Sequence, residues 1–134
     1  MQALPLRLEP GCDLRAALDT MFAEQGATAA FVLQAIGSLS VARIRFAGAV
    51  QGTELHGDME ILTLAGTLSP DGAHLHISVA DAQGQVTGGH VEYGCVVRTT
   101  AEIMVLLLPG HRFSREHDKL SGYKELVVRP VARP

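Results

Sequence analysis

Apolar and polar positions alternate along much of this chain. From Leu4 to Leu8 they take turns, the period of a short half-buried strand, and Gly11 stops it. Asp13 is a good helix N-cap, and Leu14, Ala17, Leu18, Met21 and Phe22 follow at helical spacing until Gly26. Thr28 to Ala35 is apolar and reads as a strand, and Gly37-Ser38 reads as a turn. Val41 to Phe46 alternates again, with Ala42, Ile44 and Phe46 on one face and Val41, Arg43 and Arg45 on the other, which is expected to be solvated. Met59 to Leu68 predicts a longer strand, ended by the turn signal Pro70-Asp71-Gly72. Ala73 to Val79 alternates once more, a turn is expected around Asp81 to Gly84, and another strand runs through His90. Ala101 to Leu108 is apolar on both faces apart from Glu102, which suits a strand buried on both sides or a subunit interface. Pro109-Gly110 ends it, and Glu125 to Val128 reads as a closing strand. One helix followed by many strands predicts an α+β fold, mostly antiparallel sheet with a flanking N-terminal helix.

The alternation also carries the chemistry. His74 and His76 occupy successive positions on one face of their strand, with apolar residues between them. A three-residue loop, Ala82-Gln83-Gly84, pairs Asp81 with Gln85 when Gly84 takes the left-handed position. Counting outward, Ser78 then faces Gly88, His76 faces His90 and His74 faces Glu92. Directly opposed residues have Cβ atoms roughly 5 Å apart. The hairpin therefore brings three imidazoles together, with a carboxylate beside them, and Gly88-Gly89 allows close backbone approach. A loop one residue longer or shorter would send His90 to the other face. Three neutral imidazoles suit Zn²⁺ or another divalent transition metal, either structurally or with an open position for a bound water. Solvated or hydrogen-bonded histidines are the plainer alternative. His56, His111 and His117 read as loop or surface residues, and Glu60 and Glu102 as single carboxylates in apolar strands, either outward-facing or available for acid–base work.

The chain has 134 residues, 47% of them hydrophobic and 19% charged, with no Trp. That suits one domain, 1–134, whose core spans about 4–128 and whose tail is 129–134. The formal net charge of −3 argues against a general polyanion binder, although Arg112, Arg115, Lys119, Lys124, Arg129 and Arg133 concentrate positive charge near the C-terminus. Cys12 and Cys95 lie outside any C-x-x-C and read as small buried hydrophobes. The N-terminus lacks a basic, apolar leader pattern, and the run from Ile103 to Pro109 is too short to cross a bilayer, so a cytoplasmic location is expected. The sequence contains no Ser/His/Asp motif, phosphate loop or G-x-G-x-x-G.

The segments Glu60-Ile61-Leu62-Thr63-Leu64-Ala65-Gly66, His74-Leu75-His76-Ile77-Ser78, Asp81, Gly84, Gly88-Gly89-His90, Gly94 and Thr99-Thr100-Ala101-Glu102 resemble the plants-and-prokaryotes-conserved domain, from about Leu4 to Val128. The resemblance implies an antiparallel sheet with a flanking helix, assembled as a homotrimer, and a zinc-like metal on His74, His76 and His90. In plant members a separate AT-hook binds the DNA minor groove. The tail Arg129-Pro130-Val131-Ala132-Arg133-Pro134 has Arg-Pro twice but no Arg-Gly-Arg-Pro core.

Three functions are therefore set against one another. The first is a trimeric metal-binding module, regulatory or protein-interacting. The second is a metal-dependent hydrolase or lyase acting on a small molecule, with Glu92 and Glu102 as catalytic candidates. The third is a DNA-associated protein using the basic C-terminal segment.

Overall fold

The computed structural model of the chain describes residues 1–132. It runs β1 (Gln2–Leu8), α1 (Leu14–Glu24), β2 (Ala30–Arg45), β3 (Thr53–Ser69), β4 (Gly72–Ala80), β5 (Val86–Val91), β6 (Val96–Leu107), β7 (His111–His117) and β8 (Lys124–Pro130). The first six strands form an antiparallel sheet in the order β1-β6-β2-β3-β4-β5. The sheet curls until β5 also pairs with the end of β2, placing Ile44 opposite Val91 and Arg45 opposite His90. Among the described residues, strands β7 and β8 pair only with each other, as a separate hairpin.

The core lies inside the curl. Alternate positions of each strand supply it, among them Leu39, Ile44, Leu64, Leu75, Val79, Val91, Val97 and Val105, all essentially inaccessible to solvent. Helix α1 adds Leu14, Leu18 and Phe22. Its N-cap is Asp13: Oδ1 accepts from the Ala16 amide at 3.0 Å, and Oδ2 accepts from the Gly94 amide at 2.6 Å. One carboxylate thus starts the helix and ties it to the loop after β5.

Four expectations need correction. Gly37-Ser38 is not a turn, because β2 runs straight through it. Pairing shifts at Val32/Gln34, Gly37/Leu39 and Leu39/Val41 bend this strand. Gln34 fills one irregularity, its Oε1 accepting from the Ala35 and Leu64 amides at 2.9 and 3.0 Å. Gly37 has φ +142°, and a Cβ there would run into the Thr100 carbonyl, so this glycine serves close packing. Secondly, Ala101 to Leu108 is not buried on both sides within one chain: Ala101, Ile103, Val105 and Leu107 point inward, while Glu102 and Met104 are exposed, so only the subunit-interface alternative stands. Thirdly, the segment after Gly110 is a strand, and the Glu125–Val128 strand pairs with it rather than closing the main sheet. Fourthly, His56 lies within β3, where its Nε2 sits 2.7 Å from Glu54 Oε1. Strand β8 extends through Pro130 into the segment expected as tail; Arg133 and Pro134, which that reading also used, lie outside the described residues. Among the described residues no helix is long and apolar enough to cross a membrane.

Candidate metal centre

The turn that the triad depends on forms as its spacing requires. Gly84 has φ +76°, its amide donates to the Asp81 carbonyl at 2.9 Å, and the Asp81 amide donates to the Gln85 carbonyl at 2.9 Å. Asp81 Oδ1 also accepts from the Gln83 and Gln85 amides, both at 2.9 Å. The β4–β5 ladder follows: Ser78 opposes Gly88 and His76 opposes His90. His74, His76 and His90 present ligand nitrogens that all lie within 4.8 Å of one another. Their ring centroids are 5.1 to 6.0 Å apart.

Glu92 does not join them. Beyond His90, β5 leaves β4 for β2, and the Glu92 amide donates to the Arg43 carbonyl at 3.1 Å. Its Oε2 accepts from Arg43 Nε at 2.9 Å, so the carboxylate neutralises an arginine. Glu102 is exposed on β6, paired in register with Arg7 of β1, on a strand that does not border β4 or β5. Neither carboxylate candidate meets the triad. Residues that spacing did not single out surround it instead. Arg45 pairs with His90 across β2–β5. Arg115 and Glu125, from the β7–β8 hairpin, line a groove of about 630 Å³ with His74 and His76. Arg45 lay in the alternating segment, but nothing in the sequence placed the hairpin against β4.

The electrostatics favour the neutral form at His74 and His90. Burial, then the charges of Arg45 and the neighbouring His74, pull His90 down to about 4. Burial and Arg115 lower His74 as well. Neutral imidazole is the form that binds a metal. His90 Nδ1 is buried and has no hydrogen-bond partner among the described residues, so the site holds an orphaned acceptor or donor. Nitrogens within 4.8 Å of one another could converge on one zinc ion, whose bonds to imidazole are about 2.0–2.1 Å long. The donor set fits a borderline-soft divalent ion, and exposed His76 leaves the site reachable from solvent.

Comparisons with known proteins agree with this architecture. A family model described as the Plants and Prokaryotes Conserved domain matches residues 1–109. Over 132 residues, 98% of its length, the chain is 48% identical to the bifunctional protein GlmU of Synechococcus sp. (strain JA-2-3B'a(2-13)). It spans only 21% of that relative's length. The fold resembles that of a hypothetical protein from Salmonella cholerae-suis, with a TM-score of 0.94 and 38% identity over 96% of this chain and 94% of the other. It also resembles a metal-containing protein from Archaeoglobus fulgidus, with a TM-score of 0.79 and 27% identity over 95% of this chain and 94% of the other. The sheet, the helix and the family match together place this chain in the plants-and-prokaryotes-conserved domain family.

Proposed function

We propose that this protein is a self-associating metal-binding module in which His74, His76 and His90 hold zinc or a similar divalent ion. One observation carries the reading: three ligand nitrogens within 4.8 Å of one another, on two strands whose turn fixes their register. The metal-containing Archaeoglobus relative gives it independent support. A bound ion with three protein ligands would supply Lewis acidity at a remaining open position. The chain's own part is to favour the neutral form of His74 and His90 and to align all three imidazoles. The hydrolase or lyase reading loses both of its expected carboxylates, since Glu92 neutralises Arg43 and Glu102 lies on β6. Binding is therefore the better-supported role.

Self-association, expected as a homotrimer, draws support from one exposed apolar strip. Phe31, Leu33 and Ile36 of β2 are 37%, 52% and 55% exposed, and Met104 of β6 is 38% exposed beside them. Contiguous exposed apolar surface of this kind marks an interaction site.

The test is metal analysis of the purified chain. Wild type should carry about one zinc per chain after dialysis against zinc. His76→Ala, which removes an exposed ligand without opening the core, should weaken retention by more than about a hundredfold, beyond the effect of changing a supporting residue. Equal metal content in the two proteins would sink the reading.

A further inference from the structure

Arg43, Arg98 and Arg129 each hold a carboxylate: Glu92 and Glu54, Asp58, and Glu116. The three arginines around the histidine triad do not. Arg15, Arg45 and Arg115 have no carboxylate within ion-pair distance among the described residues. Arg45, opposite His90, donates from Nη1 to the Ala49 carbonyl at 3.3 Å, its only side-chain hydrogen bond among the described residues. Arg115 Nη2 donates to Thr67 Oγ1 at 2.7 Å, and Thr67 is the ladder partner of His74. Arg15 Nη1 donates to the carbonyl of Val91, the residue after His90, at 3.0 Å. Arg15 Nε is buried without a partner. Arg15 is also stacked over the Tyr93 ring, 4.6 Å from its centroid, which leaves Arg45 and Arg115 as the freer pair. The planar donor fork of a guanidinium without a counter-ion matches carboxylate and phosphate oxygens.

Arg45 and Arg115 also face a space of suitable size. A cavity of about 790 Å³ lies between the curled sheet and the β7–β8 hairpin, lined by Arg45, His74, His90, Arg115, Lys124 and Glu125. Small-molecule sites typically occupy about 300–1,000 Å³. Asp71 also borders it, but its Oδ2 already accepts from the Arg115 amide at 2.8 Å. Glu125 is the remaining carboxylate, set against the two arginines and Lys124. The balance is cationic before any metal is added.

We propose that this cavity binds a small molecule bearing an oxyanion, gripped by Arg45 and Arg115 and presented to the histidine site. The grip stands on the arginines; the presentation to a metal rests on the metal-binding reading above. A carboxylate and a phosphate share the chemistry, and the experiment separates them.

The experiment is calorimetric titration of the full chain with succinate and, separately, with inorganic phosphate, after stripping with a chelator. Succinate is then titrated again into zinc-loaded protein, and the zinc content of every sample is measured. At least one anion should bind stripped wild type at millimolar or lower concentration, and zinc should tighten succinate binding. Arg45→Gln and Arg115→Gln should each weaken binding at least tenfold. Arg45→Gln carries the test if Arg115→Gln loosens the hairpin, because Arg45 holds a single carbonyl. Circular dichroism melting shows whether each variant is folded. Binding of neither anion, or binding that both substitutions leave unchanged, overturns the proposal. Arginine-dependent anion binding without zinc uptake overturns the metal reading alone. Zinc uptake with arginine-independent anion binding overturns this one alone.

Discussion

Gly89, the neighbour of His90, has no room for a side chain. A Cβ there would lie 2.6 Å from the Arg45 carbonyl oxygen and 3.0 Å from Ile44 Cγ2; at Gly88 it would lie 2.6 Å from the Ile77 carbonyl oxygen. The close approach expected of this pair is therefore real, with one glycine pressed on β2 and the other on β4. Gly89→Ala must push β2 and β5 apart where His90 is anchored. The cost of such overpacking is about 1–3 kcal/mol, a melting temperature lower by several degrees, and zinc retention should fall with it. Gly26→Ala, at the end of α1 and away from the hairpin turn, is the control: its Cβ meets nothing within 4 Å, but φ is +60°. That change should cost roughly 1–2 kcal/mol through left-handed strain and leave zinc retention intact. Equal zinc loss in the two variants would show that general destabilisation, not the seating of His90, controls the site. The triad was legible because its three residues sit within one hairpin whose loop length fixes their facing. Glu92 was misread for the opposite reason. Its position depends on β5 changing partner from β4 to β2, a long-range pairing that local spacing does not contain.

Among the elements, the β7–β8 hairpin depends on one side chain. Phe113 is its only buried residue among those described, packed edge-on against Phe31 with centroids 5.6 Å apart. Polar ties assist: Arg115 bonds to Thr67 and Asp71, and the Phe113 amide donates to the Thr28 carbonyl at 2.9 Å. Phe113→Ala removes an anchor worth about 3–5 kcal/mol. If the hairpin opens as a unit, amide exchange should rise across β7 and β8 while β2, β3 and β6 stay protected. Uniform exchange throughout would show that the hairpin and the main sheet unfold together. This dependence explains why β7 was missed: with one inward residue in seven, its pattern reads as a polar loop. Helix α1 was legible because its cap and its apolar spacing are local. The continuity of β2 was not, because Gly37 looks like a turn until the backbone of Thr100 is placed against it.

At the scale of the whole molecule, the proposed metal site and the proposed interface need separate tests, because Phe31 and Leu33 line the groove that also holds His74 and His76, while Ile36 and Met104 lie outside it. All three histidines belong to one chain, and the apolar strip of Phe31, Leu33, Ile36 and Met104 lies on the outer face of β2 and β6. Charges on that strip should break self-association without entering the core. Exposed substitutions away from special contacts usually change stability by no more than about 0.5 kcal/mol. The double variant Ile36→Lys with Met104→Lys is therefore expected to remain folded and to give a monomer mass by light scattering at micromolar concentration, where wild type is expected to give a trimer. An unchanged mass would place the interface elsewhere, and a monomeric wild type would remove the trimer altogether. The same samples decide a further point. If the triad is complete within one chain, the dissociated variant should retain its zinc. Loss of zinc on dissociation would mean that a neighbouring copy supplies a ligand, and the site would then be a property of the assembly.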